Sequence, residues 1–282
     1  MTFMVLSPGL QSLIQDAGRP GLGSSGVTAS GAFDRSALRQ ANALVGNPPD
    51  AACLEVLAGG LRLCATREHT VAVTGAVGDI RVAGHPVEHG RPFVVFPDQE
   101  VALGLFDIGM RAYMAAGGGF EVGSVLDSQS SDTLSDLGPD PLDAGDELGV
   151  GAAGHSAETS DVPALITSGS TAVDVLLGPR DDWFSTDAIS RFFATSWIVS
   201  AMSNRVGIRL DGPELDRANA GELPSEPCVF GSIQVTSAGQ PVVLGPDHPV
   251  TGGYPVIAVV ADRHLDRLAQ LRPGETLRFR RA

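Results

Sequence analysis

The chain reads as a mainly β protein of two similar lobes, each with about one helix. Three observations lead there. Thirty-five Gly and nineteen Pro are spread over 282 residues, a density of turn formers that leaves little room for long helices. Alternating apolar and polar residues recur in short runs bounded by those turns, the period of a half-buried strand. Two segments, one in each half, carry apolar residues at helical spacing behind a capping side chain.

In the first half, Asp34 is placed to cap a helix over 34–46, with Ala37, Leu38, Ala41, Leu44 and Val45 on its inner face and Gly46-Asn47-Pro48-Pro49 as its stop. Strands are expected near 53–57, 61–65, 70–74, 80–82, 92–96 and 100–105. In the second half, residues 185–195 repeat the helix design, with Ser185 as cap and Ile189, Phe192 and Phe193 facing inward, and a strand covers Thr171 to Leu177. A turn followed by an alternating strand recurs at Phe96–Leu103, Ala144–Val150 and Pro273–Phe279. The first lobe is expected over 1–110, connecting loops and strands over 111–165, and the second lobe over 166–282. Residues 123–162, rich in Ser, Asp and Gly, read as long loops able to line a cleft.

Charge and residue usage exclude several functions. The formal net charge is −14, so the field of the whole chain repels phosphate backbones and anionic membranes; neither nucleic acid nor membrane is an expected partner. All nineteen Lys+Arg residues are Arg. Without Lys there is no Walker A lysine, no Schiff-base amine and no attachment point for covalent biotin on this chain. Cys53, Cys64 and Cys228 are odd in number and lack metal-ligand spacing, so buried thiols in a reducing compartment and no metal are expected. The first residues have no basic n-region and no run approaches the roughly 20 apolar residues of a membrane span, which places the protein in the cytoplasm.

Gly21-Leu22-Gly23-Ser24-Ser25-Gly26 spells G-x-G-x-x-G, yet Gln15–Pro20 precedes it and Val27–Gly31 separates it from the helix, so a dinucleotide phosphate would meet no helix N-terminus. The same loop carries Asp16 and Arg19, which either satisfy backbone groups of a tortuous segment or face a small polar ligand. In Ser203–Gly212, alternation puts Arg205, Gly207 and Arg209 on one strand face, with the two guanidiniums rooted roughly 7 Å apart. They either clamp a carboxylate or bicarbonate, or pair with nearby surface acids. Downstream, Glu226, the polar side of the Gly231–Thr236 hairpin with Gln234, then Asp247-His248 and Thr251-Gly252-Gly253-Tyr254-Pro255, read as site-lining residues on short β elements. No G-x-S-x-G and no H-E-x-x-H occurs.

Six segments in one order, Gln15–Arg19, Ser30–Asp34, Ala41–Asn47, Ser203–Arg205, Gly231–Val235 and Thr251–Pro255, resemble the biotin-dependent carboxyltransferase family. That family includes the C subunit of bacterial 5-oxoprolinase (also labelled allophanate hydrolase subunit 2), the antagonist of a histidine-kinase inhibitor, and part of the urea carboxylase carboxyltransferase domain. The resemblance implies two cyclophilin-like β-barrel lobes. It also implies a smaller cyclophilin-like partner, the B subunit of the same complex, together with an A subunit. ATP would be the co-substrate of that complex for opening 5-oxo-L-proline to glutamate. Carboxyl transfer in a biotin-dependent urea or amide carboxylase, and regulation of a kinase inhibitor, are the alternatives. On this reading Arg205, Tyr254 and Asp247 would be catalytic. Gln15, Asp16, Arg19, Asn204, Arg209, Glu226, Gln234 and Thr251 would bind substrate, with Arg205 and Arg209 as anion clamp.

Overall fold

The computed structural model describes residues 2–152, 170–219 and 221–282. Of these, 2–19 and 30–152 form one compact unit, and 20–29 with the described residues from 170 onward form the other. The expected start of the second lobe at 166, and residues 153–162 of the expected loop region, lie outside the described residues.

In the first unit the polypeptide doubles back on itself in two long strands, His69–Val82 and Glu100–Ala116, paired antiparallel with register shifts between Gly75 and Ile80. Around them the sheet runs Gln11–Gln15, Cys53–Leu57, Glu100–Ala116, Leu61–Ala65, Phe3–Pro8, Glu147–Val150 and Phe120–Glu121. Alternation is the cause of its core: Phe3 and Val5, Leu61 and Leu63, Val71 and Val73, Val101 and Leu103 all point inward and are buried. The strands expected at 70–74 and 80–82 are one bent strand, because the bulges absorb the change of twist. Residues 111–152 are no connector. Glu100–Ala116 pairs with both Cys53–Leu57 and His69–Val82 across the expected boundary at 110, and Glu147–Val150 adds to Phe3–Pro8.

Helix α1, Arg35–Leu44, covers the other side of this sheet, burying Ala37, Leu38, Ala41 and Leu44 against Cys53, Ala72, Tyr113 and Ala115. Asp34 caps it, accepting from the Ala37 amide at 2.9 Å. Past its end, the Asn47 side chain donates to Ala116 O at 2.9 Å and accepts from Gly118 N at 2.7 Å, fastening the helix exit to the sheet.

The second unit is a closed barrel of Ser170–Leu177, Val256–Val260, Ser232–Val235, Pro241–Leu244, Gly207–Asp211, Trp197–Val199 and Thr276–Arg281. Closure comes from the parallel pairing of Ser170–Leu177 with Thr276–Arg281, which leaves no open edge to template aggregation. Helix α2, Thr186–Ala194, is capped by Ser185 at 3.1 Å. Its Phe192 stacks on Phe279 with ring centroids 4.6 Å apart, and its carbonyl accepts from the buried Trp197 indole at 3.1 Å. Both units are thus strand-rich and barrel-like, each with one principal helix.

Pro20–Ala29 belongs with this second barrel. Gly23–Ser25 forms a 3-10 turn, Thr28 Oγ1 donates to Pro246 O at 3.2 Å, and α1 begins only at Arg35. The G-x-G-x-x-G stretch is therefore a turn lying on a barrel margin, and no helix N-terminus follows it.

Candidate functional site

Outside the second barrel two short strands pair, Glu226–Pro227 with Thr251–Gly252, and they gather four of the residues expected at a site. Gln234 is buried on the barrel strand beneath them; its Nε2 lies 3.3 Å from Cys228 Sγ and donates to Tyr254 O at 3.4 Å. Gly252 lets this close tightly: a Cβ there would sit 2.5 Å from Gln234 Nε2 and 3.1 Å from Cys228 Sγ, and both side-chain ends would have to shift. The Glu226 carboxylate is held by Arg180, whose Nε reaches both oxygens at 3.0 Å and whose Nη2 donates to Oε1. That pairing raises the Arg180 pKa, the side-chain hydrogen bond to Glu226 being the main cause. Thr251 is exposed, and the Tyr254 ring, 43% exposed, lies under the Arg217 guanidinium at 5.7 Å. The Cys228 thiol is pushed up in pKa by burial and by Glu226, so it is no ready thiolate here.

Arg205 and Asp247 meet in a second place on the same barrel. Their side chains are 2% and 0% exposed, and the guanidinium is bidentate, Nε to Oδ2 and Nη2 to Oδ1, both at 2.8 Å. This corrects the expected clamp. The strand begins at Gly207, not at Arg205, because the Asn204 side chain accepts from the Val206 and Gly207 amides at 3.0 and 3.2 Å and turns the chain. Arg205 therefore points inward to Asp247 while Arg209 is exposed on the strand, and Gly207 opens no gap between them. Asn204 is spent on the turn.

Gln15, Asp16 and Arg19 belong to the first unit, where they hold the 125–131 segment. Asp16 accepts from Gly18 N at 2.7 Å, Ser128 Oγ at 2.7 Å, Gln129 N at 2.6 Å and from Ser130 Oγ, four donors for the roughly four lone-pair sites of a carboxylate. Arg19 donates to Val125 O at 3.3 Å and to Ser130 O, and Gln15 to Ser131 O at 2.8 Å. Of the two readings open for Asp16 and Arg19, their contacts are those of the structural one. Close backbone approach explains the neighbouring Ser30-Gly31: at φ 89, a Cβ on Gly31 would lie 2.9 Å from the Ala17 carbonyl carbon.

Three groups with site-like chemistry escaped sequence reading. Arg180 and Arg217 carry no motif and reach the Glu226–Tyr254 cluster only through the fold. In the first unit, buried Glu55 accepts from Tyr113 Oη at 2.6 Å and Phe33 N at 3.0 Å, with Arg111 Nε 3.4 Å away and its guanidinium over the Phe33 ring at 4.6 Å. Tyr113 also accepts from Asp34 N at 2.7 Å. Burial first, then Glu55 and Asp34, drive the Tyr113 pKa far up, so its hydroxyl stays a donor. Among the described residues no group of His, Cys, Asp or Glu is arranged to hold a metal.

Two strand-rich, barrel-like units define the class, and comparison with known proteins agrees. A family model described as carboxyltransferase domain, subdomain A and B, matches residues 25–281. The chain belongs to this carboxyltransferase-domain family. It is 34% identical over 279 residues to the 5-oxoprolinase C subunit of Escherichia coli (strain K12), covering 98% of this chain and 89% of that one. Against a urea amidolyase of Lachancea kluyveri it is 30% identical, over 98% of this chain but 17% of the relative. Among solved structures, Kluyveromyces lactis urea amidolyase superposes with a TM-score of 0.93 at 29% identity, and TTHA0988 with 0.90 at 33%. Both superpositions cover 99% of this chain, and they span 18% of the first structure and 55% of the second. No helix among the described residues is long and apolar enough to cross a membrane.

Proposed function

We propose that the chain is the C subunit of an ATP-dependent 5-oxoprolinase, inactive alone, that binds 5-oxo-L-proline on the margin of its second barrel. The observation that carries this is the near end-to-end match to the 5-oxoprolinase C subunit, which the urea amidolyase relatives offer over only a small share of their length. In this reading Gln234, Glu226 and Thr251 orient the lactam amide and Tyr254 closes one wall. Lactam opening adds water to the carbonyl carbon, breaks the C–N bond and leaves the proton on the departing amine. Fixed donors aimed at the developing oxyanion are worth a few kcal/mol in such a step. Arg205 and Asp247 brace the bend over 245–248 that leads into Thr251 and Tyr254, and act through position.

ATP is the co-substrate of the complex formed with the A and B subunits, and the Gly21–Gly26 turn offers its triphosphate no helix N-terminus. The cytoplasm, where ATP and a reduced thiol pool coexist, is the compartment this requires. The test is reconstitution: the two partners with this chain release glutamate from 5-oxo-L-proline and ATP, and omission of this chain abolishes release. The 0.93 TM-score to urea amidolyase favours carboxyl transfer as the second reading. Urea-dependent bicarbonate fixation with a biotin carrier and no lactam opening would establish it instead.

A further inference from the structure

Most guanidiniums of the second unit are neutralised by a carboxylate or stand in solvent. Arg180 is bound by Glu226, Arg191 by Asp216, Arg205 by Asp247, and Arg263 and Arg280 by Asp174. Arg209, Arg267, Arg278 and Arg281 stand exposed in solvent. Arg217 fits neither set. It is partly buried, pairs with no carboxylate among the described residues, and uses Nη2 on the main-chain oxygen of Val235. Its Nε is buried and has no acceptor among the described residues.

An uncompensated, half-desolvated cation is costly in any protein and more conspicuous in one of net charge −14. Arg217 is also held in place. Its backbone bridges to Phe184, Leu215 N donates to Gly239 O at 3.0 Å and Ala218 N to Trp183 O at 2.8 Å. The guanidinium is pinned between the Val235 carbonyl and the face of Tyr254, beside the Gln234 side chain whose Nε2 reaches Tyr254 O.

We infer that Arg217 is a carboxylate subsite, the missing counter-ion being the anionic group of the ligand. This rests on the proposed function and sharpens it. 5-Oxo-L-proline carries a carboxylate on the carbon next to its ring nitrogen, whereas urea carries none, so Arg217 selects the anionic lactam over neutral amides. A guanidinium is a planar fork that fits such a group, and Arg217 Nη1 makes no hydrogen bond among the described residues. The carboxylate takes Nη1, the ring lies against Tyr254, and the lactam amide falls toward Gln234.

The experiment compares the wild-type complex of this chain and its partners with the same complex carrying Arg217→Gln or Arg217→Lys. Two ligands are used: 5-oxo-L-proline and 2-pyrrolidinone, the same lactam without the carboxylate. Binding is measured by calorimetry and turnover by product release. Arg217→Gln is expected to weaken 5-oxo-L-proline binding and raise its KM about 10- to 100-fold, the scale of one charge-assisted pair. It leaves 2-pyrrolidinone within about twofold, and Arg217→Lys recovers part of the loss because the charge is kept. Equal loss for both ligands, loss for neither, or no 5-oxo-L-proline binding by the wild-type complex overturns the subsite. A wild-type complex that binds 5-oxo-L-proline with this discrimination but never opens it sinks the proposed reaction and leaves the subsite standing.

Discussion

Two glutamates in two units show how one residue type is put to opposite uses. Glu55, 3% exposed, lies in the first unit between sheet and α1, surrounded by Tyr113, the Phe33 amide and Arg111. Glu226, with 27% of its side chain exposed, lies on a two-residue strand outside the second barrel and is held by Arg180. The first is enclosed and fixes the entry to a helix. The second is reachable, and Thr251 and Tyr254 near it are exposed. The lesson is that a polar cluster becomes a site when the fold leaves it at a margin, whatever its residue types.

The sharpest way to break this contrast is to truncate both acids. Glu55→Ala strands the Tyr113 hydroxyl, the Phe33 amide and the Arg111 charge in the interior, and the first unit is expected to lose roughly 3–5 kcal/mol. Glu226→Ala leaves Arg180 in contact with water and changes stability far less than Glu55→Ala, while weakening lactam binding. Calorimetric melting of both variants, with ligand titration of the second, checks the pair; a Glu226→Ala loss as large as that of Glu55→Ala would erase the distinction.

Gly252→Ala comes next in size. The new methyl must displace the Gln234 amide and Cys228, both ends of flexible side chains, so stability falls by only about 1 kcal/mol. Ligand affinity is expected to fall about tenfold, near 1.4 kcal/mol, which titration of the assembled complex reads. The helix caps are smaller still. Asp34→Ala removes a buried cap worth about 1 kcal/mol, and Ser185→Ala an exposed one worth about 0.5 kcal/mol, so melting should rank the first unit's loss above the second's.

The smallest effect is on pH. His69 packs on Phe3 at 5.0 Å, and burial, then Arg67, lowers its pKa from 6.5. The unfolded chain therefore takes up this proton first as pH falls. The stability His69 contributes is complete above 6.5 and drains away as pH drops through the lowered folded value. Melting temperature recorded between neutral and acidic pH should decline over that window, and His69→Gln should flatten the first unit's share of the decline.

How much of this was legible in the chain depends on how far each signal reaches. Asp34 and Ser185 announce α1 and α2 because a cap acts within three residues. Leu61 to Ala65 reads as a strand because alternation is local. Gly252 and Tyr254 were visible as part of a polar, glycine-bearing segment on a short β element. Arg180, Arg217 and the Glu55–Tyr113 pair were not, since strand registry decides which residues meet across dozens of positions. Arg205 and Arg209 show the converse error: periodicity was extended through Asn204, whose side chain ends the period by taking two amides for itself.

The short strap from Pro20 to Ala29 has a consequence for biosynthesis. It leaves the ribosome some 140 residues before the first strand of the barrel it rests on, so for most of translation it has nothing to lie against. A first unit that condenses during synthesis does so with this strap still unseated, because Pro246, which Thr28 contacts, is not yet made. Any attempt to express the barrel as a fragment starting after residue 152 would discard a piece of it that the gene encodes at the opposite end.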